Sequence, residues 1–469
     1  MWARSFPNEG TNSSLHAADL NGDGILDFVI GGGKRLHEST DKGVIAINGR
    51  NGHILWKIAT EDQIFGSATF LDITDDGYPD VFIGGRKSTF LAIDGLLGTI
   101  IWKYQIPMDT TGPLKTAHFN FYNAQLVPDQ NNDGRQDLLV SNGGNVTVPP
   151  DVVAGREAGV LLVLDSKTGN VLAAAAMPDG KETYMSPVVL DYDNNGSLDV
   201  FFGTGGETIS GRFYRVTWQE LMLGNIAQAK VLAEGEGHGF IAPPVLTDLN
   251  NDGIFDIVVN CHNSTVYAIN GKNDNLFWSV SIPDTESNSS LAPGNFNNDG
   301  VPDFLLYCME GKWPENVGGL EIALDGATGK VIRKYQIGCT GFSSPLTADL
   351  NNDGYDEVLV SVNEFDCDAR NFANMKTRVV VLDIHRDSTG QLGDLFDFKN
   401  IATTPWLGDV DKNGFWEMAF CVQMNTSSAI ELNGMIVSMI PTKIASNIPP
   451  TWGAYMGNKG DGVFINKQK

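Results

Sequence analysis

Eight times along the chain an acidic nonapeptide, Asp-x-[Asp/Asn]-x-[Asp/Asn]-Gly-x-x-[Asp/Glu], leads into an apolar segment. Carboxylates this close repel one another unless water or a cation screens them. Oxygens at positions 1, 3, 5 and 9 can surround one centre if position 6 turns with φ > 0. Glycine fills position 6 in every copy, from Gly24 and Gly77 through Gly134, Gly196, Gly253, Gly300 and Gly354 to Gly414. An oxygen-only donor set, completed by the position-7 carbonyl and water, suits Ca²⁺ rather than zinc or copper.

The candidate ligands of the first loop are Asp19, Asn21, Asp23, Ile25 (through its carbonyl) and Asp27, and of the second Asp72, Thr74, Asp76, Tyr78 and Asp80. The third offers Asp129, Asn131, Asp133, Arg135 and Asp137, and the fourth Asp191, Asp193, Asn195, Ser197 and Asp199. Asp248, Asn250, Asp252, Ile254 and Asp256 form the fifth, and Asn295, Asn297, Asp299, Val301 and Asp303 the sixth. Asp349, Asn351, Asp353, Tyr355 and Glu357 form the seventh, and Asp409, Asp411, Asn413, Phe415 and Glu417 the eighth. An EF-hand needs Glu at position 12, where this chain places Ile30, Ile83, Val140, Phe202, Val259, Leu306, Val360 and Phe420, so a helix-loop-helix site is excluded. Asp-Gly and Asn-Gly hairpin turns explain one copy as well as calcium does, but not eight with an acidic ninth residue. Asn295 in place of the first acid predicts the weakest site; Thr74 is a milder loss, and Glu357 and Glu417 put a longer arm at position 9.

The copies start 53, 57, 62, 57, 47, 54 and 60 residues apart, a repeat too even for chance. Each is flanked by short strand signals such as 186–190 before a loop and 256–259 after one. Most units then carry a hairpin with a Gly turn, as in 44–56, 90–102, 160–172, 266–278 and 320–332. Four short antiparallel strands cannot bury both faces alone, whereas a ring of such sheets can. The expectation is therefore an all-β chain forming one domain over 1–469, an eight-bladed β-propeller, with seven blades as the alternative. The departures are 215–232, where 218–223 could make a helical turn, and 434–450. Trp2 precedes its loop by nearly the same interval as Trp56, so 2–6 is expected to be the outermost strand of a blade otherwise built from the carboxyl end.

The loop-plus-strand unit, seen in 248–259, resembles the FG-GAP or VCBS-type propellers, including the head of integrin α chains. The hairpins ending in Trp56, Trp102 and Trp278 are similar to the tryptophan-docking repeats of pyrroloquinoline-quinone-like eight-bladed propellers. The resemblance implies up to eight structural Ca²⁺ joining first and second strands on one rim, with ligand-contacting loops on the other. Within those longer loops Arg35, His37, Arg156, Trp313, Phe365, Arg370 and Phe372 offer cationic or planar groups for a sugar, peptide or carboxylate.

With 57 acidic and 32 basic residues the formal charge is −25, which disfavours nucleic acid; eight Ca²⁺ would bring it to about −9. No apolar run approaches the ~18 residues of a membrane span, and residues 1–6 do not read as a signal peptide, so the chain is expected to be soluble as given. Five cysteines contain no CxxC or adjacent pair; Cys339 and Cys367 fall where either a disulfide or two reduced thiols would fit. Seven histidines form no HxH or HxxxH pair, which argues against a transition-metal site, and His118 and His238 read as satisfied imidazoles facing the channel. No G-x-S-x-G elbow supports a serine triad.

The expected function is a secreted or cell-surface binding module for a glycan or protein, localised outside the cell or in the periplasm and possibly a subunit of a surface assembly. The sequons at Asn12, Asn145, Asn263, Asn288 and Asn425 suit export. The enzyme alternatives are a polysaccharide lyase using Arg156, Arg370 or His118, and a quinone-dependent dehydrogenase. The second would need the adjacent cysteines this chain lacks.

Overall fold

The computed structural model describes residues 1–106, 111–145, 147–149, 152–312, 315–364, 366–367, 372–426, 431–445 and 448–466. Its strands form eight antiparallel sheets, each with a four-strand path and two with a short extra strand. The first blade, His16–Ala18, Asp27–Gly31, Thr40–Ile47 and Ile54–Thr60, is the template for the rest. The eighth blade runs Trp406–Gly408, Phe415–Gln423, Met435–Ala445 and finally Trp2–Phe6, whose Trp2 pairs with Met439 and Phe6 with Met435. Pairing the two ends of the sequence in one sheet closes the ring, as the tryptophan spacing predicts, and gives eight blades rather than seven. The irregular fourth unit contains a short helix, Trp218–Met222, capped by Thr217 and Glu220 in a reciprocal box.

Burial explains why a ring is needed. Eight apolar clusters each straddle two adjacent blades; one, for example, joins Val258 and Trp278 of the fifth blade to Phe304 and Ile322 of the sixth. Tryptophans of the outermost strands fasten these contacts. Trp2, Trp56, Trp102 and Trp278 donate from Nε1 to the carbonyls of Gly49, Gly95, Ser166 and Gly326 in the next blade. Each indole lies over a turn glycine with positive φ: a Cβ at Gly98 would meet Trp56 at 2.3 Å, and one at Gly169 would meet Trp102 at 2.6 Å.

The innermost strands are three residues long and leave an axial channel, which the last stretch of chain fills. Trp452 exchanges backbone hydrogen bonds with Thr347, and Leu407 N–H donates to the Gly453 carbonyl. Beyond Tyr455 the segment turns back; Phe464 N–H reaches the Leu246 carbonyl, and Asn466 donates to the carbonyl of Gly300 in the sixth acidic loop. The sequence gives no repeat signal for this plug, since it belongs to no blade.

Candidate functional site

All eight acidic loops connect a first strand to a second and lie on one rim. Their position-6 glycines have φ from 82° to 88°, as expected, and position 4 is also left-handed in every copy, from Gly22 (72°) to Lys412 (58°). Asn, Asp or Gly at seven of these eight fourth positions, all but Lys412, was the available signal, because glycine and short polar side chains tolerate that conformation. In the first loop Asp19 accepts from the N–H groups of Gly22 and Gly24, and Asp23 N–H donates to Asn21.

The ninth-position acid sits deeper than the others. Asp27 is fully buried and accepts from Leu20 N–H and from Gly49 N–H, whose carbonyl in turn holds Trp2. Loop, hairpin and neighbouring blade are thus tied in one chain of bonds, repeated at Asp80, Asp137 and Asp303 through Trp56, Trp102 and Trp278. Burial pushes the carboxyls of Asp27, Asp199 and Asp256 up to about 6 and that of Asp303 up to about 7. In the eighth loop carboxylate oxygens of Asp409, Asp411 and Glu417 lie within 4.8 Å of one another, a donor set that fits a hard divalent ion. Among the described residues no other loop brings three together so tightly: Asp199 faces Arg215 at 3.7 Å, and Glu357 is bonded to Asn351 at 2.6 Å. In the sixth loop Asn295 turns its amide nitrogen to the carbonyl of Gly354 in the seventh, and Asn297 donates to Asp299 and Asp325.

The opposite rim carries a cavity of about 770 Å³ over the mouth of the channel, with Tyr455 of the plug among its lining residues. Segments leading into first strands contribute Phe65, Tyr122 and Tyr184, and loops between second and third strands contribute Arg35, Arg86, Arg156 and Glu207. Arg86 extends over the Phe65 ring at 5.4 Å and donates from Nε to Gln63 Oε1 at 2.9 Å. No carboxylate forms an ion pair with it among the described residues, and burial lowers its pKa. Arg156 is differently placed: its guanidinium is held by Glu182 and by the Tyr184 hydroxyl.

Of the sequence-predicted ligand residues, Arg35 and Arg156 line the cavity. Arg35 pairs with Glu431 at 2.8 Å. His37 bonds Asp62 and is not a lining residue. Trp313, Phe365 and Arg370 fall outside the described residues, and Phe372 begins a short 3₁₀ turn. Arg86 carries no such sequence signal, because its loop, between Gly84 and Phe90, is short and does not stand out among the long ones. Cys339 and Cys367 form a disulfide with Cα atoms 5.6 Å apart, while Cys261, Cys308 and Cys421 are buried thiols. His118 lies 3.5 Å from Glu157 on this rim. Across the cavity wall His238 approaches His262, with ring centres 5.4 Å apart, so the histidines are not isolated as their sequence spacing implies.

A ring of eight four-stranded blades with acidic loops and docked tryptophans defines an eight-bladed β-propeller. The FG-GAP-like repeat family matches residues 248–306. The chain is similar to human Protein FAM234B, 22% identical over 95% of this chain and 72% of that protein. In structure it is similar to quinohemoprotein alcohol dehydrogenase from Comamonas testosteroni (TM-score 0.59, 11% identity, 96% of this chain and 77% of that one). BamB from Moraxella catarrhalis also shares the fold (TM-score 0.51, 12% identity, 94% and 98% coverage). At such identities the solved structures speak for the fold alone. Among the described residues no helix is long and apolar enough to cross a membrane.

Proposed function

We propose that this chain is a calcium-stabilised propeller of the cell surface or extracellular space, whose channel-mouth cavity binds an anionic group on a glycan or protein partner. The observation that carries the reading is Arg86: a guanidinium half-sequestered among Phe65, Tyr122 and Tyr184 with no ion-paired acid. Asp62 lends this half-buried guanidinium a favourable field but no ion pair, so part of its desolvation cost remains, and a carboxylate or sulfate from outside relieves that cost. The aromatic walls supply stacking faces for a sugar ring or a peptide side chain. The disulfide favours an oxidising compartment, where calcium is also plentiful enough for weak loop sites. A lyase reading is weaker because two of the three basic groups named for it are engaged, Arg156 with Glu182 and His118 near Glu157; Arg370 lies outside the described residues.

The test is a panel of neutral, carboxylated and sulfated glycans and acidic peptides, probed with the wild type and Arg86→Gln in millimolar calcium. Selective capture of anionic members, weakened on the order of tenfold or more by the substitution, is expected. Equal capture of neutral and anionic members, or binding indifferent to Arg86→Gln, would discard the proposal.

A further inference from the structure

On the cavity rim, where the fifth and sixth blades meet, three side chains from separate segments converge. His238 precedes the first strand of the fifth blade, His262 lies in that blade's loop between second and third strands, and Glu286 ends the sixth blade's short strand Thr285–Glu286. One ligating atom from each lies within 4.8 Å of the other two. Backbone bonds hold them there: His262 N–H donates to the Gly239 carbonyl, and Ser287 N–H donates to the carbonyl of His262.

The tautomers matter most. Nδ1 of His238 faces the Glu207 carbonyl, an acceptor only, so it carries the proton and leaves Nε2 as a lone pair. Nδ1 of His262 lies 2.6 Å from Asn288 Oδ1, as assigned, which fixes the same tautomer. His262 is 1% exposed, and its Nε2 makes no hydrogen bond; the Glu286 carboxylate lies 3.5 Å away. In the neutral ring this buried Nε2 lone pair faces a carboxylate, a poor arrangement between those two groups alone. It suits two ligands of one cation, each oriented by an acceptor behind it.

We propose that His238, His262 and Glu286 bind a divalent transition-metal ion of the zinc class, with water completing the coordination. Two imidazoles and one carboxylate match the ligand set of three-ligand zinc sites, and the nitrogen donors select against calcium, which takes oxygen. The site is chemically distinct from the acidic loops and lies on the other rim. Glu207 and Asn288, which orient the two histidines, also line the cavity, so the ion would sit directly behind its wall.

The experiment strips the protein with chelator, restores excess calcium to fill the acidic loops, and titrates Zn²⁺ by calorimetry and Co²⁺ by visible absorption. One zinc per chain is expected, together with the ligand-field bands of a low-coordinate cobalt centre. His262→Gln removes a ligand outright and should weaken uptake by more than the roughly ten- to hundredfold typical of an outer-shell change. Because His262 is buried, the partly exposed His238→Gln is the second variant, with its thermal melt as the check on folding. No uptake in excess calcium, or uptake of unchanged affinity in a folded His238→Gln protein, would overturn the assignment. Binding of anionic ligands at Arg86 is scored separately, so either result can fail without the other.

Discussion

At the scale of the residue, the acidic loops show how one atom redirects a site. Asn295 stands where seven other loops have Asp, and its amide nitrogen bonds the Gly354 carbonyl at 2.6 Å. Asn295→Asp adds a carboxylate but removes that donor. In calcium the variant is expected to hold one more ion by native mass spectrometry at subsaturating metal; in chelator it should melt below the wild type, by roughly 1 kcal/mol of lost hydrogen bonding. The loops were legible in the sequence because each is local: nine consecutive residues carry every donor. Arg86 and the His238, His262 and Glu286 group were not, since their meaning depends on what stands opposite in space. A lone Arg in a Gly-rich turn and two histidines 24 residues apart have no periodicity to betray them.

At the scale of the element, the tryptophan clip couples neighbouring sheets. Trp102→Phe keeps most of the packing against Phe82 and Phe90 but loses the bond to Ser166, so a destabilisation of about 1 kcal/mol is expected by denaturant titration. Gly169→Ala should cost more, about 1–3 kcal/mol, because its φ of 74° disfavours a side chain and its Cβ would press into the indole. The plug rests against a titratable group of the first blade. His16 has Nδ1 2.7 Å from the Ala68 carbonyl and Nε2 3.2 Å from that of Tyr455, and burial holds its pKa below the ordinary 6.5. Below that pH the unfolded chain takes a proton that the folded one resists, so stability falls with acidification. The melting temperature of His16→Gln is expected to vary less than that of the wild type between about pH 7 and pH 5. The hairpins and their docking were readable from Gly and Trp spacing, whereas the plug was not, having no repeat to align with.

At the scale of the whole molecule, closure and the proposed cation screening are expected to act together. Excess chelator is expected to lower the melting temperature substantially, because ions that bind only the folded ring stabilise it by mass action; an unchanged melt would remove calcium from the account. Removing residues 1–6 bares the edge of Met435–Ala445, and light scattering should then report concentration-dependent self-association. Ring number and the shared closing blade followed from counting loops and measuring the distance from Trp2, so architecture was the most legible level of all. The plug adds something counting could not reach. Tyr455 is at the floor of the cavity and Asn466, eleven residues later, grips Gly300 on the far rim. A guest that displaces Tyr455 therefore works against a strut whose other foot rests on the sixth acidic loop. The two ends of the axle are thermodynamically linked to the extent that strut is stiff, and by reciprocity calcium at the sixth loop would tune the guest's affinity as much as the guest tunes calcium's.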